Sequence, residues 1–198
     1  MQRRHLVQIL AASQIALVAA LALPAWSADH PGSPATVAAT SAANTSIDFN
    51  SAVDTFRRAS DGDAEAIAPA LAQLTALSHT QPLDPLLMAY TGAATSMQAR
   101  TTWMPWKKLG YAEDGLAMID KALALLSPAD EVTQHRGVPV ALETRLTAAG
   151  TFLALPSMFH RGERGRRLLD EVMRHPAYAA TPAAFQEAVR RIAAKAAP

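Results

Sequence analysis

The stretch Tyr111-Ala112-Glu113-Asp114-Gly115-Leu116-Ala117-Met118-Ile119-Asp120-Lys121-Ala122-Leu123-Ala124-Leu125-Leu126-Ser127-Pro128 decides the fold. Gly115, Ile119 and Ala122 stand at i, i+4 and i+7 on one face of a helix, and Pro128 follows where that helix has stopped. The spacing returns on either side as Ile67, Leu71, Leu74 and as Gly165, Leu169, Val172, so the three series begin 48 and 50 residues apart. Each series is a face to be buried. Small residues such as Gly115 and Gly165 allow adjacent helices to approach closely, which offsets glycine's helix cost of about 1 kcal/mol.

Prolines keep the same rhythm. Asp84-Pro85, Val138-Pro139 and Thr181-Pro182 each precede an apolar run, where a missing N–H costs nothing. Pro82, Pro128 and Pro176 each follow one, at intervals of 46 and 48 residues. The pattern predicts helices at 47–60, 63–79, 85–100, 106–127, 139–155, 163–175 and 182–196, with Asp61-Gly62-Asp63 as a tight turn and Asp63 as a cap. Composition agrees: 44 of 198 residues are Ala, 9 are Gly and aromatics make up 6%, a mixture that favours helix over sheet. The expected class is all-α, with antiparallel hairpins stacked as a short repeat and the last helix as a cap. A plain bundle of amphipathic helices is the alternative.

The second helix of each pair resembles that of a tetratricopeptide repeat. Tyr111–Pro128 carries the small residue (Gly115), the large apolar residue (Ile119), a Lys-Ala-Leu run and the closing Pro, and Gly162–Pro176 is similar. Phe49–Ser78 matches loosely, Thr91-Gly92 hints at the first-helix Leu-Gly pair, and the unit near 48 residues is longer than that family's ~34. The resemblance implies a helical scaffold that binds a protein or peptide and has no chemistry of its own.

The N-terminus reads as an export signal. Arg3 and Arg4 precede an apolar stretch whose uninterrupted core, Ile15–Leu23, is nine residues, far short of the roughly 20 that span a bilayer. Ala25-Trp26-Ser27 suits cleavage after Ser27. The Arg pair resembles a twin-arginine signal weakly, and the short segment before it favours the general secretory route. Residues 1–27 are thus an expected signal peptide, 28–46, rich in Ala, Thr, Ser and Pro, a flexible linker, and 47–198 the helical domain. Without residues 1–27 the balance is 16 Lys+Arg to 17 Asp+Glu, a net −1 that excludes a strongly basic nucleic-acid binder. No transmembrane segment is expected after cleavage. Cys is absent, so disulfides, thiolate catalysis and Cys-held zinc are excluded; such an exported chain suits the bacterial periplasm.

Candidate binding residues cluster at Arg100, Trp103, Trp106, Lys107 and Lys108, between the third and fourth helices. Trp, Met and Arg favour interface cores, and the lysines suit an acidic peptide or a phospholipid head group. Trp at a helix corner is more often there to close the end of a core, which is the preferred reading of this corner. Residues 156–198 carry eight basic and four acidic groups, which reads either as a solvated face with pairs such as Arg166–Asp170 and Arg167–Glu171 or as contact with an acidic partner or membrane surface. His160-Arg161-Gly162-Glu163 is a turn without a third metal ligand, His135 and His175 read as solvated, and Glu113-Asp114 as surface charge. No phosphate loop or nucleophile motif appears, so no catalytic residue, metal or cofactor is expected. The expected function is a periplasmic scaffold for a protein or peptide partner of an envelope or transport system; the alternative is a small periplasmic enzyme or ligand-binding protein with a pocket near Trp103 and Trp106.

Overall fold

The computed structural model describes residues 48–196, so the expected signal peptide and linker lie outside the described residues. Seven α-helices account for the architecture: α1 (Phe49–Ser60), α2 (Ile67–Thr80), α3 (Pro85–Met97), α4 (Pro105–Leu125), α5 (Val140–Ala154), α6 (Gly162–Arg174) and α7 (Ala183–Ala196). The protein is all-α, and each helix falls where the proline and apolar spacing predicts it.

Local chemistry sets the boundaries. Asp84 accepts from the Leu87 N–H at 2.9 Å with Pro85 in the first turn, so α3 starts on a satisfied cap. Asp63 caps as expected, accepting from Glu65 and Ala66, but its short turn is 3₁₀, and α2 begins at Ile67 instead of residue 63. The third helix likewise tightens to 3₁₀ over Gln98–Arg100. One element was not predicted: two-residue strands β1 (Gln134–His135) and β2 (Val138–Pro139) form an antiparallel hairpin. Its turn residues Arg136 and Gly137 have φ of 53° and 77°, the left-handed pair that a two-residue hairpin turn requires.

Packing centres on α3, which contacts α1, α2, α4 and α5. Leu86, Leu87, Ala89, Tyr90, Ala93 and Ala94 are all buried, so this helix is covered nearly all round. It runs antiparallel to α4 at backbone contact. A Cβ at Gly92 would stand 2.8 Å from the Gly115 carbonyl oxygen, and one at Gly115 would stand 2.7 Å from the Ser96 N and drive into the Gly92 carbonyl. Gly165 brings α6 onto α5 in the same way, with Leu153 Cγ 2.9 Å from where a Cβ would be. Both expected small-residue contacts are therefore present. Of the seven side chains expected in the core, Ile67, Leu74, Ile119, Ala122, Leu169 and Val172 are buried, and Leu71 is half-buried at its edge. Phe185 and Val189 anchor α7, which packs on α5 and α6. Among the described residues no helix is long and apolar enough to cross a membrane.

Candidate functional groove

One face of α3, one of α5 and one of α7 enclose a groove of about 950 Å³. From α3 come Tyr90, Ala93, Met97 and Arg100, at i, i+3, i+7 and i+10; from α5 come Leu146, Gly150 and Leu153; from α7 come Phe185, Ala188 and Ile192. These helical stripes make the walls mainly apolar. The last turn of α1 closes one side with Phe56, Arg57 and Ser60, while Trp106, Leu109 and Met158 edge the mouth. Trp106 and Met158 are 67% and 66% exposed, so apolar surface continues out of the groove.

Polar groups concentrate at two places. At the rim, Arg191 of α7 reaches Asp61 at 3.1 Å, the Arg100 guanidinium donates to the Ala59 carbonyl at 2.8 Å, and Lys108 and Lys195 carry unpaired charge among the described residues. At the inner wall, Glu143 is 4% exposed. Its Oε1 accepts from the Tyr90 hydroxyl at 2.5 Å and from the Arg136 guanidinium at 2.7 Å, while Oε2 has no partner among the described residues. The hairpin turn delivers Arg136, which also lies over the Phe49 ring at 5.7 Å. Burial, reinforced by Glu143, pushes the Tyr90 phenol well above its usual value, so it stays a proton donor at neutral pH.

The five residues expected to frame one surface divide. Arg100, Trp106 and Lys108 belong to the groove wall, whereas Trp103 and Lys107 stand outside it. Trp103 is 79% exposed, so neither indole closes the core, and that reading of the corner is overturned. The C-terminal cations also differ from expectation. Arg166 pairs with Glu163 at 2.5 Å and Arg174 with Asp170 at 3.3 Å, in place of the i, i+4 pairs from Arg166 and Arg167. Arg161 and Arg164 both bind Asp120 of α4 and lie over the Phe152 ring. His175 is not simply solvated: its Nε2 lies 3.2 Å from Glu131, and its Nδ1 accepts from the Ala177 N–H. His135 packs on Phe49, with ring centroids 5.1 Å apart. Glu113 and Asp114 are exposed, as expected.

Tyr90, Arg136 and Glu143 escaped sequence reasoning, although an isolated acid in the apolar run Val140-Ala141-Leu142-Glu143 was a signal. Among the described residues no group of three or more side chains is gathered to hold a metal ion. The structure thus defines an all-α domain organised around an elongated apolar groove with one buried polar cluster. No family model, no curated protein and no solved structure matches this chain.

Proposed function

We propose that this is an exported, periplasmic scaffold, related in layout to tetratricopeptide repeats, whose groove holds an apolar segment of a protein or peptide partner. The observation that carries the reading is the groove itself: three helix faces supply a mainly apolar trough with its mouth edged by an exposed Trp and Met, the form of surface that accepts the apolar face of an amphipathic helix. Rim cations Arg100, Lys108 and Lys195 favour acidic flanks on that segment. The repeat layout is supported by the packing of α1 on α2, α3 on α4 and α5 on α6, with α7 left over as a cap. Binding without catalysis is favoured because the Tyr90 hydroxyl proton and an Arg136 N–H both go to Glu143 Oε1, inside the protein.

A second reading, an exported binder of a small amphiphile, is favoured by the groove's volume, which falls in the range of small-ligand sites. Displacement of an apolar fluorescent dye from the groove separates the two. An acidic helical peptide with leucine along one face should displace the dye from the chain but fail against Ala154→Trp, which fills the wall from an exposed position. Displacement by decanoate or a lysophospholipid with none by the peptide would replace the first reading with the second.

A further inference from the structure

The geometry points to a second contact at the outer edge of the groove: Trp103 and Lys107 outside the wall, together with Trp106 and Lys108 at its mouth, dock on an anionic lipid surface. Trp103 and Trp106 are 79% and 67% exposed, and Leu109 on the next turn is 40% exposed, so three large apolar side chains meet water within seven residues. Indole rings carry a broad apolar body and one N–H, which suits the boundary between head groups and acyl chains better than either bulk phase. Lys107 and Lys108 beside them are exposed and have no ion-pair partner among the described residues. Their long stems allow the ammonium groups to reach phosphates while the indoles enter the interface.

Charge elsewhere argues for this corner and against the C-terminal face. Arg161 and Arg164 share Asp120, and Arg166, Arg174, Arg190 and Arg191 each pair with a carboxylate, so most cations of the face that the sequence presents as basic are already engaged, with Arg167 and Lys195 the exceptions among the described residues. Trp103 and Lys107 also lie outside the groove wall, so a segment bound in the groove leaves them uncovered. A few side chains projecting from a helix corner bury too little area for a stable protein interface, whereas a bilayer interface takes them up individually.

The test uses the chain from Ala28 onward, in which Trp103 and Trp106 are the sole tryptophans. Vesicles of phosphatidylethanolamine, phosphatidylglycerol and cardiolipin should shift its indole emission to the blue, and brominated acyl chains should quench it. Phosphatidylcholine vesicles should do neither. Removing both lysine charges as Lys107→Gln with Lys108→Gln should lower partitioning about 25-fold, at roughly fivefold per lysine, with an unchanged melting curve. No shift on anionic vesicles at low salt would overturn the proposal, as would equal binding to phosphatidylcholine. It would also fail if the acidic peptide alone moved the Trp103 emission in a Trp106→Phe chain, since the corner would then belong to a protein partner. Because the groove is read by dye displacement, either result leaves the peptide-binding proposal standing or falling separately.

Discussion

The two ends of α4 belong to one helix and meet opposite surroundings. At Gly115 the helix touches the α3 backbone so closely that a methyl group has no room, and Ile119 and Ala122 beyond it are fully buried. At Gly110, five residues earlier, nothing among the described residues lies within 4 Å of where a Cβ would stand, and Trp106 and Leu109 face water. Glycine means close packing in one place and open surface in the other, so residue type alone does not reveal which half of a helix builds the fold. Neighbours decide it.

Replacing Gly115 with Val should break that comparison most severely. The side chain would have to enter the Gly92 carbonyl and the Ser96 backbone, an overpacking that ought to cost on the order of 4 kcal/mol, read as a fall in the urea midpoint. A midpoint near that of the parent chain would mean that α3 and α4 can separate at no cost.

Tyr90→Phe comes next. It removes one of the two donors to a nearly fully buried carboxyl group and should cost about 1–2 kcal/mol, with the loss relieved when Glu143 is also changed to Gln. Since burial raises the Tyr90 pKa in the folded state, the phenol favours folding below its usual value of 10.0, and this contribution fades as pH rises through the higher folded value. Additive effects of the two substitutions would show that the hydroxyl and carboxyl groups act independently.

Gly110→Ala should move stability the other way, by about +0.5 to +1 kcal/mol, because alanine loses less freedom on entering a helix and meets no obstacle there. Measured beside Gly115→Val, it sharpens the contrast between the two halves of α4. A destabilising Gly110→Ala would place that turn against a neighbour.

A smaller, pH-dependent effect belongs to Glu131. A hydrogen bond from Arg145, opposed by partial burial and aided by Arg145 and His175 charge, holds its pKa below the usual 4.5. A depressed folded value gives stability that is present above pH 4.5 and lost as pH falls through the lowered value. Glu131→Gln should therefore flatten part of the acid limb of the melting-temperature profile. An unchanged limb would assign that limb to other carboxyl groups.

The helices were legible because proline, Asp caps and i, i+4, i+7 spacing are local signals, and Asp84-Pro85 acts on Leu87 three residues away. The hairpin was not, since strands of two residues offer no periodicity and Arg136 takes the left-handed position commonly given to Asn or Gly. The polar cluster was hidden for another reason: Tyr90 and Glu143 are 53 residues apart and meet only through helix packing. Arg191 reaches Asp61 across 130 residues, so the partners of the C-terminal cations were equally out of reach of local pairing rules. Trp103 and Trp106 had two consistent sequence readings, and their exposure was decided by where α4 leaves the core.

The most direct test of the division between the two ends of α4 is scanning calorimetry of Trp106→Ala with and without the acidic amphipathic peptide. Without peptide, the variant should melt at the temperature of the parent chain, within the roughly 0.5 kcal/mol expected for an exposed position. With peptide, the parent should gain the stability that binding confers on the native state, and the variant should gain clearly less. A variant that melts several degrees lower without peptide, yet gains as much as the parent when peptide is added, would make Trp106 a packing residue and contradict the account.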